Sequence, residues 1–362
     1  SPATLLKELM PVGSGMDNLL VWIVVIFIYY VIATMMPVDK IIGKIYPLFA
    51  LSLIFMALAL MVALFVKWPT LPELWDGLGN IGTEKLGIKN AEPIVPALFI
   101  TIACGAISGF HATQSPLMAR CIKDEQLGRP VFYGAMITEG IVALIWAAVS
   151  SWFFYDNGWI ELCPDAFLAQ SDKSITQFFS APQVVMEVCK GWLGIAGGIL
   201  AILGVVAAPI TSGDTALRSA RLIIADALHI NQRPMMKRLI ICAPLFLLCI
   251  ALLVWQMDNP DSFNTIWKYF GWANQTLAVF TLWTITIYLA LKKKPYVIML
   301  LPAMFMTFVC TTFILTSKTA FGLPLEVGYA VGVAVMLIFT IKFFWWYNKN
   351  TVNTNMCGKI NN

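Results

Sequence analysis

Charge along this chain is spaced by uncharged windows of 19 to 27 residues, and that spacing constrains its fold more than any motif. Asp17 to Asp39 encloses 21 residues without Asp, Glu, Lys or Arg, and Lys44 to Lys67 encloses 22. Glu92 to Arg120 encloses 27, and Arg129 to Asp156 encloses 26 interrupted by Glu139 alone. Lys190 to Asp214, Lys268 to Lys292 and Lys294 to Lys318 each enclose 23, and Arg238 to Asp258 encloses 19. A last window runs from Glu326 to Tyr347, with Lys342 near its end. A bilayer core of roughly 30 Å needs about 20 apolar residues of helix. Runs such as IVVIFIYYVIA lack the alternation that strands of a membrane barrel require. The expected fold class is all-α: a polytopic integral membrane helix bundle of about nine transmembrane helices.

Composition excludes the other broad classes. The 362 residues are 59% apolar and 12% charged, where a soluble domain carries about a quarter of its residues as charged ones. Mean hydropathy is +0.78. A soluble enzyme, a disordered chain and a nucleic-acid partner are excluded; the formal charge of +4 is too small to argue for an acidic polymer. With nine spans and the amino end outside, the inner segments 37–44, 120–130, 214–238, 292–294 and 348–362 hold 15 Lys and Arg against 8 in the outer segments. That bias predicts a carboxyl end inside. Trp152 to Tyr155, the Trp267–Trp272 group and Phe343 to Tyr347 read as interfacial anchors.

The expected organisation is a single transmembrane domain over residues 1–362, with a basic amphipathic inner loop at 214–238 and an inner tail at 348–362. The chain starts at Ser1 without an initiator Met or a signal pattern, so an amino-terminal part is expected to precede it. Of the eight Cys, Cys163 and Cys189 share one predicted outer segment; they are expected as free thiols, with pairing in an oxidising compartment as the alternative.

Two windows are expected to be interrupted. The third contains Gly105-Ala-Ile-Ser-Gly-Phe-His-Ala-Thr-Gln-Ser-Pro116, glycines four apart followed by a polar run. The fifth contains Ala207-Ala-Pro-Ile-Thr-Ser-Gly-Asp-Thr215 ahead of Arg218 and Arg221. Non-helical backbone at membrane depth is tolerated where protein or a wet cavity surrounds it, and paired interrupted segments point to a transporter's binding site. Candidate substrate- and ion-binding residues are therefore Ser108, Gly109, His111, Thr113, Gln114 and Ser115 in the third window, and Thr211, Ser212 and Asp214 in the fifth. The competing readings are a glycine-mediated helix contact for the first set and an N-cap at Asp214 for the second. Glu139 lies about 15 Å into its span, ten residues after Arg129; an ionisable group at that depth is expected to be buried and to take and release a proton, with a protonated carboxyl hydrogen-bonded to a neighbouring helix as the alternative. Asn274 and Gln275 complete the set, and interhelical hydrogen bonding explains them as well as substrate contact does. With two His, no HExxH, no P-loop and no GxSxG, neither an enzyme nor a metal site nor an organic cofactor is expected; a coupling proton is, with sodium as the alternative.

The runs IACGAISGFHATQSPLMARC and GRPVFYGAMITEGIVALIWAA resemble the carbon starvation protein A family, as do the Pro37–Pro47 and APITSGDTALRSARL segments. The resemblance implies a secondary transporter of the bacterial inner membrane that takes up peptides, or in some members pyruvate, during nutrient limitation. It also implies kinship with the amino acid–polyamine–organocation superfamily, with its inverted-repeat fold built around broken helices, and additional spans upstream of Ser1. The partners expected are a small-molecule substrate and membrane lipid. The alternative is a membrane nutrient sensor or structural partner that binds without accumulating.

Overall fold

The computed structural model describes residues 15–35, 38–71, 93–101, 107–155, 181–232, 234–258 and 262–360, with Ala3, Leu6 and Lys7. Among these residues regular structure is helical: α1 (Leu19–Met35), α2 (Val38–Lys67), α3 (Ile94–Thr101), α4 (Phe110–Ala119), α5 (Ala135–Tyr155), α6 (Ala181–Ala227), α7 (Met235–Asp258), α8 (Ser262–Leu291), α9 (Val297–Thr316) and α10 (Leu325–Ile360). A 3-10 turn at Glu125–Leu127 and a π-helical stretch at Arg129–Gly134 lead into α5. Among the described residues, six segments are long and apolar enough to cross a membrane, where about nine spans were expected of the whole chain: Phe49–Lys67, Glu125–Phe154, Met235–Gln256, Thr265–Leu291, Val297–Thr316 and Leu325–Asn350; α1 is a shorter apolar helix. The protein is a polytopic helical membrane protein. Helices suit this setting because every backbone N–H and C=O is satisfied within the segment.

The third window breaks where expected. Residues 107–109 are non-helical ahead of α4, which starts at Phe110; residues 102–106, Gly105 among them, lie outside the described residues. The fifth window breaks elsewhere. Helix α6 continues through Ala207–Thr215, and its kink sits at Gly194, with φ 64° and ψ −153°. Glycine alone reaches that conformation without strain, whereas Pro209 removes one N–H and is tolerated inside a membrane helix. The same helix shortens both neighbouring segments. It starts at Ala181, inside the expected outer segment, and runs to Ala227, so the 214–238 segment is helical over half its length.

The chain divides into two compact units, with the boundary inside α5 between Gly140 and Ile141. In the first, α6 packs on α2, α1 and α7. Its core is built at helical spacing from Met56 and Leu60 of α2, Ile145, Val149 and Phe153 of α5, and Val184 and Val188 of α6. Cys189 is a free thiol buried in that core; Cys163 lies outside the described residues.

In the second unit α8, α9 and α10 pack in chain order, and α3 lies against α8 and α9. Leu300, Ala303, Met306, Val309, Cys310 and Phe313 turn one face of α9 onto Val279, Leu282 and Trp283 of α8. Two indoles are paired across helices: Trp283 Nε1 donates to Thr307 Oγ1 at 3.0 Å and Trp272 Nε1 to the Cys310 carbonyl at 3.0 Å. The Tyr329 hydroxyl donates to the Val95 carbonyl at 2.7 Å, tying α10 to α3. Lipid offers no hydrophobic drive for helices to associate, so close packing has to supply it. Gly328 and Gly332, four apart on α10, bring that helix onto Thr312 and Thr316 of α9.

A side chain at Gly332 would overlap Thr312 and meet the Phe308 carbonyl oxygen at 3.2 Å. Gly332→Val should lower stability by about 1–3 kcal/mol, read as a drop in thermal unfolding midpoint in detergent. Gly191→Ala, with nothing within 4 Å of the added carbon, should not lower it.

Candidate functional site

In the second unit the site is built around the start of α4. Gly109 is buried against α8, where an added Cβ would run into the Asn274 carbonyl and lie 2.8 Å from the Ala278 nitrogen. Glycine is required there by contact, so the helix-packing reading of this residue holds. That approach brings the Asn274 carboxamide over the broken end. Its Oδ1 accepts from the Phe110 N–H at 2.8 Å, and its Nδ2 donates to Ser108 Oγ at 3.2 Å. The next amides, of His111 and Ala112, reach the carbonyls of Ser108 and Gly109 at 3.2 and 3.0 Å. The amino end of α4 is therefore capped by protein. Side chains, rather than these amides, are what it leaves for a ligand.

Two side chains stand out. His111 Nε2 lies 3.3 Å from Glu139 Oε2 of α5, while His111 Nδ1 is buried with no partner among the described residues. Glu139 is the fifteenth residue of the thirty-residue candidate span. It is not buried as expected: its side chain keeps 43% exposure and that of His111 38%. An imidazole and a carboxylate in contact share one proton with no net charge, and a second proton leaves the pair at +1. The other polar group is Gln275, fully buried beside Asn274, whose carboxamide oxygen and nitrogen both lack a partner among the described residues. Such a group is ordinarily met by water or ligand.

The rest of the 108–115 run is quieter. The Thr113 hydroxyl donates to the Phe110 carbonyl of its own helix at 2.8 Å, and Gln114 and Ser115 are half-buried. The π-helical stretch Arg129–Gly134 ends five residues before Glu139. Such turns occur frequently at functional sites, and nothing in the Gly-Arg-Pro sequence announced it.

The second candidate set belongs to the first unit. Asp214 is fully buried in the middle of α6 and does not cap a helix. Its two oxygens accept from Arg218 Nη2, one turn on, at 3.1 and 3.3 Å. The same nitrogen donates to the Ala33 carbonyl at 2.7 Å, fastening α6 to the carboxyl end of α1. Tyr30 of α1 packs on Gly213, where a Cβ would lie 2.6 Å from the Tyr30 oxygen. Ser212 is exposed and its carbonyl accepts from the Thr215 hydroxyl, and the Thr211 side chain lies outside the described residues. Arg238, not singled out in the sequence, donates to the Met35 carbonyl at 3.1 Å.

Asn274→Leu should cost about 1 kcal/mol by removing the shorter of two bonds from the Phe110 N–H, which keeps only Ser108 Oγ at 3.3 Å. Amide hydrogen exchange at Phe110 should quicken, while Ser108→Ala, which leaves Asn274 Oδ1 in place, should change it less.

The family described as carbon starvation protein CstA matches residues 15–190 and 183–313. An uncharacterized membrane protein of Haemophilus influenzae is 46% identical over 157 residues, covering 40% of this chain and 42% of that protein. The protein of Escherichia coli named peptide transporter CstA is 26% identical over 315 residues, covering 72% of this chain and 43% of the transporter. Another from that organism, named pyruvate/proton symporter BtsT, is 38% identical over 81 residues, 22% of this chain and 10% of the symporter. The chain thus spans less than half the length of each of these three relatives. No solved structure matches it. The match runs through the broken helix, its Asn274 cap and the Asp214–Arg218 helix alike, and the chain belongs to the carbon starvation protein CstA family.

Proposed function

We propose that the chain is part of a proton-coupled secondary transporter. It brings short peptides, a small carboxylate such as pyruvate, or both, across a bacterial inner membrane, with its carboxyl end cytoplasmic. The observation that carries this reading is the His111–Glu139 pair, formed at the start of a broken helix and halfway along a candidate span. A helix that only anchors has no use for an ionisable pair at that depth, since charge there is costly. A pair that holds one proton neutrally and accepts another changes charge as it loads, which is the property a coupling site needs. Half-exposure of both side chains leaves them reachable. The Gln275 carboxamide of the same unit, fully buried and without a partner among the described residues, is a further group with donor and acceptor capacity. The names of the relatives support the substrate class, and the basic residues of the inner segments support the orientation.

Accumulation in proteoliposomes under an imposed pH gradient tests the proposal. One pH unit is worth about 1.4 kcal/mol per proton, a tenfold accumulation. Glu139→Gln should abolish that roughly tenfold gain while exchange of labelled for unlabelled substrate persists. Unchanged accumulation would remove Glu139 from the mechanism, and accumulation driven by sodium alone would move the coupling to another ion. Binding by the parent protein without any accumulation would favour a nutrient sensor.

A further inference from the structure

Two arginines reach carbonyls at the carboxyl end of α1, and a third lies within electrostatic reach of both. Arg218 Nη2 donates to the Ala33 carbonyl and Arg238 Nη1 to the Met35 carbonyl, at 2.7 and 3.1 Å. Arg238 Nε also donates to the Gln232 carbonyl at 2.6 Å. Cationic side chains on the last carbonyls of a helix are an ordinary capping arrangement, and it accounts for Arg218 and Arg238. It does not account for Arg221. That residue follows Arg218 by three positions on α6, is 6% exposed, and lies within electrostatic reach of both other arginines.

The acidic side chain held by this cluster, Asp214, is taken by Arg218. Two guanidinium charges are left without a counter-charge among the described residues. Buried donors are left over as well: Nε and Nη1 of Arg218, Nε and Nη1 of Arg221, and the Gln232 carboxamide, together with the Thr34 hydroxyl, have no partner among the described residues. Arg218 is 5% exposed and Thr34 1%, so water does not freely cover them. A buried guanidinium with unmet N–H groups is strongly unfavourable unless an anion joins it.

We propose that Arg218, Arg221 and Arg238, with Thr34 and Gln232, form a binding site for a phosphate group. A tetrahedral oxyanion accepts several N–H and O–H bonds at once, the geometry guanidinium forks match. Its charge of one to two also balances the cluster better than a single carboxylate. The source is either an anionic phospholipid headgroup or free phosphate. Basic pockets between membrane helices take up lipid headgroups, and Leu228, Met235, Met236 and Ile240, close to Gln232 and Arg238 in sequence, are exposed apolar side chains. The inference does not depend on the transport reading.

The test uses the delipidated protein in neutral detergent. Its thermal unfolding midpoint is measured with millimolar inorganic phosphate against chloride at equal ionic strength. A second arm compares phosphatidylglycerol with phosphatidylcholine in mixed micelles. Phosphate or phosphatidylglycerol should raise the midpoint by about 2 °C or more. Arg221→Met should abolish the rise, and without either anion should be no less stable than the parent, because it removes a buried unpaired charge. Arg238→Gln, as a second variant, should weaken the rise. A rise with both additives assigns the phosphate group itself; a rise with phosphatidylglycerol alone, with that lipid retained in native mass spectra, assigns the headgroup. A midpoint that neither additive moves, a rise that persists in Arg221→Met, or acetate acting as well as phosphate would overturn the proposal.

Discussion

A helix that stops inside a membrane leaves amides with no water to receive them, and the second unit depends on how that demand is met. Asn274 meets it from a neighbouring helix, accepting from Phe110 and donating to Ser108 with the two ends of one carboxamide. The contact is possible because Gly109 has no side chain to hold α8 away. From it follow the position of α4, the placing of His111 in the second residue of that helix, and the contact of His111 with Glu139 on α5. A cap made by protein also changes what the break can do. Its first amides are occupied, which leaves the half-exposed imidazole and carboxylate as the accessible polar side chains beside the break.

The first unit handles buried charge differently. Asp214 and Arg218 neutralise each other within one turn of α6, and the same guanidinium reaches across to the end of α1. A salt bridge so placed contributes little by itself once desolvation is counted; its effect is to orient Arg218 toward the α1 carbonyls. The helix runs through this region unbroken, and its kink is at Gly194, twenty residues earlier.

The class of fold was legible because the bilayer reads composition directly: length and apolarity decide whether a helix can span. The break before Phe110 was legible too, since Gly, Ser and a polar run together disfavour continuous helix in lipid. The break at Ala207–Thr215 was not there. Proline and glycine permit a helix to bend, but whether it does depends on packing, and here Tyr30 packs on Gly213 where the helix stays straight. Glu139 was visible as an ionisable residue at depth, whereas its half-exposure and its partner were not.

By itself, then, the amino-acid order determined the helical membrane class and the residues whose polarity is out of place in lipid. Those properties are local, summed over about twenty residues at a time. Pairings were decided by the tertiary structure alone: Asn274 with Phe110, separated by 164 positions, His111 with Glu139, and Arg218 with Ala33, separated by 185. The reason is geometric. A hydrogen bond acts over about 3 Å, and which helices approach that closely is set by the small residues and shapes along their full length, which no single window of sequence contains.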